Sequence, residues 1–143
     1  MRLTRAQLLP LYCRLEFCNS KMEKEKKISV LVVDDSEIIR LFLEQLFLSE
    51  GCDVVTAESG EAAVEYIKKQ VFDAAFIDVR LPGMNGLETY KEMLKINPKT
   101  KAIMMTAYAT DEIAEEAVKL GVACCLMKPF GIDEVLKEFN KLK

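Results

Sequence analysis

The sequence predicts an α/β fold, a doubly wound parallel sheet with helices on both faces. Apolar runs of strand length alternate five times with stretches of helix length, at the spacing that crossover connections need. Several predicted strands end in polar side chains, as strands do at the edge of an open parallel sheet where ligands bind. The 143 residues suit one domain with one core.

The composition excludes several classes of function. Half of the residues are hydrophobic and 30% are charged, an ordinary balance for a globular domain. The net charge of −3 argues against direct DNA binding, which needs a basic surface. No apolar run is long enough to cross a membrane. Because the chain has no histidine, it contains neither a histidine-ligated metal nor a Ser-His-Asp triad.

The five cysteines show no CxxC spacing, which indicates reduced thiols and a cytoplasmic location. Cys124 and Cys125 are adjacent on a predicted strand, where neighbouring side chains face opposite ways. We therefore expect both to pack against the domain rather than to form a disulfide with each other.

Residues 1–27 do not continue the alternation of strand-length and helix-length stretches seen in the rest of the chain. They end in a Lys/Glu-rich run. A signal peptide is a weak alternative, because Pro10 breaks the apolar part and no small-residue cleavage site follows. Met22 as the natural start would make the segment non-native, and a docking arm that folds on a partner is the rival interpretation. We expect a loosely ordered extension without a role in the chemistry, followed by one domain over residues 28–143.

The first predicted strand, residues 28–33, is β-branched and apolar, as in a strand buried on both faces. It ends in Asp34 and Asp35. Ser36 can cap the helix that follows, and Gly51 can end it.

The second predicted strand, residues 53–57, is more polar and suits a sheet edge. Ser59 opens the second helix. The third strand is the apolar run of residues 74–77, which ends at Asp78 just before a Pro-Gly turn. One side of the second helix is expected to pack: Ala62, Ala63, Tyr66 and Ile67.

The third helix is predicted over residues 87–96, since a proline two residues later resists helical backbone before it. A fourth strand, residues 101–105, ends at Thr106. A fourth helix covers residues 111–120 before a glycine, and a fifth strand, residues 122–127, ends at Lys128. No sixth strand or second domain is predicted. The last helix carries an apolar stripe: Ile132, Val135, Leu136, Phe139 and Leu142.

The polar strand ends converge, because all carboxyl ends of a parallel sheet lie on one edge. Alone, Asp34, Asp35 and Asp78 are best interpreted as helix caps or a turn former, and Lys128 as a solvated lysine. Together, three carboxylates repel one another unless a cation is present, and an all-oxygen site favours Mg²⁺, with Mn²⁺ possible. Asp78 is then a candidate phosphoryl acceptor, with Lys128 to neutralise charge and Thr106 to donate a hydrogen bond.

These motifs resemble those of two-component response-regulator receiver domains, and the match covers residues 28–143. The resemblance implies a flavodoxin-like (βα)5 sheet with strand order 2-1-3-4-5. Four stretches carry it: Leu31-Val32-Val33-Asp34-Asp35-Ser36, Ile77-Asp78-Val79-Arg80-Leu81-Pro82-Gly83-Met84-Asn85-Gly86, Met105-Thr106-Ala107-Tyr108 and Lys128-Pro129-Phe130.

The resemblance also implies roles for the acidic residues. Asp78 would be the phosphoacceptor. Asp35 would bind the metal directly, Asp34 mainly through water, and Arg80 through its backbone carbonyl.

The resemblance also implies roles in the switch, the conformational change that follows phosphorylation. The resemblance implies that Thr106 turns toward the phosphoryl group, that Lys128 pairs with it, and that the Lys128–Pro129 peptide is cis. Where the family usually has an aromatic switch residue, this chain has Cys125. Tyr108 is a candidate substitute.

The expected function is a receiver in a phosphorelay, which takes its phosphoryl group from a sensor histidine kinase or a histidine phosphotransferase. It would signal to a downstream protein by contact, as a stand-alone domain that catalyses only its own phosphorylation and dephosphorylation. One alternative is a haloacid-dehalogenase-like phosphatase, but that class needs a second aspartate where Arg80 stands. The other is a receiver-like scaffold with weak switching, which Cys125 keeps open.

The first helix has too many apolar residues for one packed face. We expect part of this excess to be exposed and to dock a partner helix that carries the phosphohistidine, with Ile39, Leu43 and Phe47 as candidates. The alternative is that the excess packs under the N-terminal extension or in a dimer. The apolar residues are Ile38, Ile39, Leu41, Phe42, Leu43, Leu46, Phe47 and Leu48.

Overall fold

The computed structural model describes residues 27–107 and 110–142. The expectations for residues 1–26 and for Tyr108 lie outside this part of the chain. Strands and helices alternate through the described residues, as the sequence predicts. They are β1 Ser29–Val33, α1 Glu37–Ser49, β2 Asp53–Ala57, α2 Gly60–Lys69, β3 Ala74–Asp78, α3 Gly86–Ile96, β4 Lys101–Thr106, α4 Asp111–Leu120, β5 Cys124–Met127 and α5 Ile132–Leu142.

The five strands form one parallel sheet in the order β2-β1-β3-β4-β5. This confirms the predicted strand order 2-1-3-4-5 and the predicted edge position of the second strand. The register pairs Val33 with Ile77 and Asp78 with Met105. The carboxyl ends of the three central strands therefore lie side by side, and the residues that follow them share one edge.

A hydrophobic core covers each face of the sheet, because successive side chains of a buried strand point to opposite faces. Leu31, Val33 and Ile77 pack on the side of α2, α3 and α4. On the other side, Phe76 contacts Phe47 of α1 with ring centroids 4.9 Å apart, and Phe139 of α5 lies at the same distance from Phe47. Strands buried on both faces explain the continuous apolar runs in the sequence.

Local signals set the ends of the helices. The side chains of Ser36 and Ser59 accept hydrogen bonds from the backbone N–H groups three residues later, which confirms both predicted caps. Gly51 follows the end of α1 with φ of +83°, a left-handed conformation that glycine adopts without steric cost. Gly121 ends α4 in the same way, with φ of +85°.

The fifth strand is shorter than predicted. It begins at Cys124, not at residue 122, because the N–H of Val122 still bonds to the α4 carbonyl of Ala117. As an edge strand, β5 also leaves Cys125 exposed, so the expectation that both adjacent cysteines pack is wrong for Cys125.

Two residues predicted on packed helix faces are partly exposed, with 38% and 50% of their surface accessible. Tyr66 of α2 and Ile132 at the first residue of α5 lie at the margins of their apolar stripes. Their neighbours Ala63, Ile67 and Val135 are buried instead. The packed side of each helix is therefore the predicted one, but the packed apolar stripe is narrower than the sequence suggests.

The apolar excess of α1 divides between the core and the surface. Leu43 and Phe47 are fully buried, so their candidacy as docking residues is wrong, because both form the core against the sheet. The exposed apolar side chains are Ile38, Leu41 and Leu48, with 77%, 51% and 49% of their surface accessible. No helix in the described part of the chain is long and apolar enough to cross a membrane.

Candidate functional site

The loop after β1 places the first acidic pair. Asp34 is fully buried, and its N–H donates to the carbonyl of Ala57 on β2 at 3.1 Å. Its Oδ1 accepts the N–H of Ser36 at 2.8 Å. Asp35 follows immediately and is exposed. The pair thus presents one fixed, buried carboxylate and one accessible carboxylate.

The end of β3 places Asp78, whose residue surface is 4% accessible. Its Oδ1 accepts the backbone N–H of Arg80 at 3.1 Å. The start of α3 passes so close to this strand that a Cβ at Gly86 would collide with the Asp78 carbonyl oxygen. A glycine is therefore needed where the helix approaches the site.

The loop after β5 brings a single lysine to both buried carboxylates. Lys128 Nζ lies 2.7 Å from Asp34 Oδ2 and 3.1 Å from Asp78 Oδ2. Its backbone N–H donates to the carbonyl of Thr106 at 2.8 Å, and the peptide bond to Pro129 is cis, as expected. Lys128 thus forms one ion-paired group with Asp78, 50 positions before it in the sequence, and with Asp34, 94 positions before it.

Charge and burial act together on these groups. Burial, and then the negative charge of Asp34, raise the pKa of Asp78 above its usual range, while the hydrogen bonds from Lys128 and the Arg80 N–H oppose this. Burial alone would lower the pKa of Lys128, but its bonds to Asp34 and Asp78 raise it. The lysine is therefore a cation held between two carboxylates that repel each other.

The donor set fits a hard divalent cation. One carboxylate oxygen from each of Asp34, Asp35 and Asp78 lies within 4.8 Å of the others. Oxygen-only donors with one accessible carboxylate suit Mg²⁺, which keeps several waters and takes few protein ligands. Arg80 follows two residues after Asp78 and is exposed.

The predicted switch residues lie on β4, which pairs with the strand of Asp78, and on β5, the edge strand beyond it. Thr106 is fully buried at the end of β4, and Asp78 pairs with the preceding residue, Met105. Cys125 on β5 pairs with Met104. The structure thus brings Asp34, Asp35, Asp78, Thr106 and Lys128 to one sheet edge, while the cysteine lies farther back on an exposed edge strand.

Sequence reasoning missed one contact that supports this edge. Arg40, in α1, donates from Nη1 to the carbonyl oxygen of Asp34 at 2.7 Å. An arginine within the first two turns of a helix that follows an acidic pair was the available signal. Its acceptor is a backbone atom, so the side-chain pattern gave no partner for it.

The chain is similar to a set of known proteins. The family model described as "Response regulator receiver domain" matches residues 30–140. Sporulation initiation phosphotransferase F of Bacillus subtilis is 35% identical over 117 residues, which cover 80% of this chain and 94% of that protein. Transcriptional regulatory protein ZraR of Escherichia coli is 39% identical over 114 residues, 80% of this chain, and the match spans 26% of its length.

Solved structures share the fold. The chemotaxis protein CheY4 of Vibrio cholerae has a TM-score of 0.78 and 30% identity, over 82% of this chain and 100% of that one. A CheX–CheY complex from Borrelia burgdorferi with BeF₃ and Mg²⁺ has a TM-score of 0.76 and 27% identity, over 80% of this chain and 88% of that one.

Proposed function

This chain belongs to the response regulator receiver domain family, and on that premise we propose that it accepts a phosphoryl group on Asp78 and signals by protein contact. The observation that carries the proposal is the position of Lys128 Nζ, 2.7 Å from Asp34 and 3.1 Å from Asp78. A buried carboxylate held beside a cation at the sheet edge suits a nucleophile whose product gains negative charge.

The proposed reaction forms an acyl phosphate. An Asp78 carboxylate oxygen attacks phosphorus, the P–N bond of a partner's phosphohistidine breaks, and its electron pair returns to the imidazole nitrogen. Lys128 then pairs with the phosphoryl oxygens, and the Thr106 hydroxyl turns to donate to one of them.

The acidic cluster would hold Mg²⁺ through Asp35 directly, Asp34 mainly through water, Asp78 and the backbone carbonyl of Arg80. When bound, the ion supplies positive charge that offsets the charge developing on the phosphoryl oxygens. A related CheY structure contains BeF₃ and Mg²⁺, which supports Mg²⁺ as the ion. We propose Mn²⁺ as a substitute because it also prefers oxygen ligands.

The exposed stripe of α1 is the proposed docking surface for the phosphodonor. Ile38, Leu41 and Leu48 are spaced three and seven residues apart, so they share one side of the helix. The helix begins two residues after Asp35, which places its N-terminal end beside the site. We propose that a helix of a sensor histidine kinase or a histidine phosphotransferase packs on this stripe.

The output is proposed to be a contact with a downstream protein in the cytoplasm. The described cysteines, Cys52, Cys124 and Cys125, form no disulfide with one another, in keeping with a reducing compartment. The only chemistry assigned to the chain is its own phosphorylation and dephosphorylation. Because the match spans 26% of ZraR and 94% of the sporulation phosphotransferase, relatives use this domain in both long and short chains.

Weak switching is the second candidate, and the exposure of Cys125 favours it. A small thiol offers little surface to bury when the threonine moves, whereas an aromatic ring buries a large area. In this version Asp78 is still phosphorylated, but the change in binding surface is small.

Incubation with acetyl phosphate and Mg²⁺, followed by intact mass measurement, tests the proposed function. We expect one phosphoryl group on the parent chain and none on Asp78→Asn. Asp53→Asn is the matched control, because it removes an exposed carboxylate at the start of β2, and it should be labelled like the parent. Equal labelling of Asp78→Asn would refute the assignment, and Mg²⁺-dependent labelling that survives Asp35→Ala would refute the metal assignment.

A further inference from the structure

We infer that Arg40 is a positioning residue for the metal site, acting through the backbone that carries Asp35. The inference rests on the proposed function, because it assumes that the acidic cluster binds Mg²⁺. It adds a residue whose side chain neither binds the metal nor contacts the phosphoryl group.

The first step is the contact itself. Arg40 Nη1 donates to the carbonyl oxygen of Asp34 at 2.7 Å, and the pair is partly buried. A hydrogen bond from a charged donor at this length is stronger than a neutral one. Arg40 is fixed in α1 (Glu37–Ser49), so the bond ties the loop to a rigid element.

The second step follows from the planarity of the peptide bond. The Asp34 carbonyl lies in the same plane as the nitrogen and Cα of Asp35. Asp34 is already held through its N–H to Ala57 and through its side chain to Ser36. Once Arg40 also fixes the carbonyl oxygen, the plane cannot turn, and this sets the position from which the Asp35 carboxylate reaches the cluster.

The third step is the sign of the charge effect. The Arg40 guanidinium is positive and repels a divalent cation, so loss of its charge alone would tighten Mg²⁺ binding. Loss of positioning would weaken binding, and partners that orient metal ligands typically contribute 10–100-fold in affinity. The two effects have opposite signs, so one titration separates them.

The experiment is calorimetric titration of the full chain with Mg²⁺. For Arg40→Met we expect the Kd to rise by about tenfold or more. Arg40→Lys keeps one charged donor on a long stem and should recover most of the lost affinity. Lys95→Met removes an exposed cation from α3 and should leave the Kd within about twofold of the parent value.

A second readout separates positioning from catalysis and from general damage. At saturating Mg²⁺, acetyl phosphate should label Arg40→Met at a rate within about twofold of the parent, because Asp78 and Lys128 are unchanged. The metal-free melting temperature of each variant checks folding. If Arg40→Met does not fold, Arg40→Gln, which removes the charge and shortens the reach, takes its place beside Arg40→Lys.

Equal or tighter Mg²⁺ binding by the uncharged variant would overturn the inference, and so would a loss in Arg40→Lys as large as in Arg40→Met. If the parent chain does not bind Mg²⁺, the proposed metal site fails and the inference fails with it. If the parent binds and the variants do not differ from it, only the role of Arg40 fails.

Discussion

At the scale of single residues, the site depends on one ammonium group that serves two buried carboxylates. Asp34 and Asp78 each have an oxygen within 3.1 Å of Lys128 Nζ. Burial and the negative charge of Asp34 raise the pKa of Asp78, and the hydrogen bond and positive charge of Lys128 oppose this rise. The lysine therefore maintains the charge state on which the proposed chemistry depends.

Thr106 gives the first prediction at this scale. Thr106→Ala should be phosphorylated to the same extent as the parent but should lose most of its conformational response. A hydrogen bond from a hydroxyl to a charged group is worth about 1.5–3 kcal/mol, enough to shift a two-state equilibrium by about one to two orders of magnitude. Amide chemical shifts before and after phosphorylation measure the response.

Thr106→Ser is the matched control, because it keeps the hydroxyl and should keep the response. Identical shift changes in Thr106→Ala and the parent would show that the hydroxyl is not the sensor.

Cys124 gives the second prediction. Burial, and then the hydrogen bond to Glu138, raise the pKa of its thiol to about 12. Only the thiolate reacts, and an unfolded cysteine has a pKa of about 8.5, so alkylation at pH 8 should be about 100-fold slower or more in the folded chain. The rate should rise as the pH approaches 12. Peptide mapping after iodoacetamide treatment, with and without urea, measures both rates.

Glu138→Gln supplies the control for Cys124. It removes the acidic partner while leaving the burial, so alkylation should become faster without reaching the rate in urea. Equal rates in the folded and unfolded parent would contradict the prediction.

At the scale of elements, α1 has two apolar sides, one buried and one exposed. Leu43 and Phe47 pack on the sheet, and Ile38, Leu41 and Leu48 face outward. Leu41→Ser should reduce phosphotransfer from a purified sensor histidine kinase that labels the parent, by about tenfold, because an interface anchor is worth about 1–2 kcal/mol. Labelling by acetyl phosphate should stay intact.

Val118→Ser is the matched control for α1, since it removes an apolar side chain that is 74% exposed on α4. Phosphotransfer to it from the same kinase should be unchanged. If Leu41→Ser loses kinase labelling and small-donor labelling together, the substitution has damaged the domain, and the docking surface is not at that position.

The elements also mark what the sequence can predict. Ser36 and Gly51 were placed correctly because caps depend on a few neighbouring residues. The exposed side of α1 was not, because a helix with apolar residues on most of its surface does not specify which side meets the sheet. The exposure of Cys125 was missed for a similar reason, since packing on an edge strand is decided by distant elements.

The site was more predictable than the packing. Asp34, Asp78 and Lys128 were expected to converge because parallel strands end at a common edge, and they do. Arg40 was missed because its partner is a backbone carbonyl, which no residue pattern identifies.

At the scale of the whole molecule, the described residues that form the sheet, both cores and the candidate site lie between positions 28 and 142. Deletion of residues 1–26 should therefore leave the melting temperature within about 2 °C of the parent value, because about 1 kcal/mol moves it by roughly 4 °C. Labelling by acetyl phosphate should also be unchanged. Thermal unfolding and intact mass measure the two quantities.

The rival interpretation of the extension makes a different forecast. If the extension is a docking arm, its deletion should leave the melting temperature and the acetyl phosphate labelling unchanged but should lower phosphotransfer from the kinase. A large fall in melting temperature would contradict both interpretations and would make the extension part of the fold.

The ion-paired group joins residues 94 positions apart, and this has a consequence for synthesis on the ribosome. The two carboxylates leave the exit tunnel well before the lysine does, so a growing chain holds the proposed nucleophile, Asp78, without its counterion. Competence to accept phosphate should therefore appear late and abruptly, once the fifth strand has joined the sheet. Incomplete chains on the ribosome would then not be phosphorylated in competition with the complete protein.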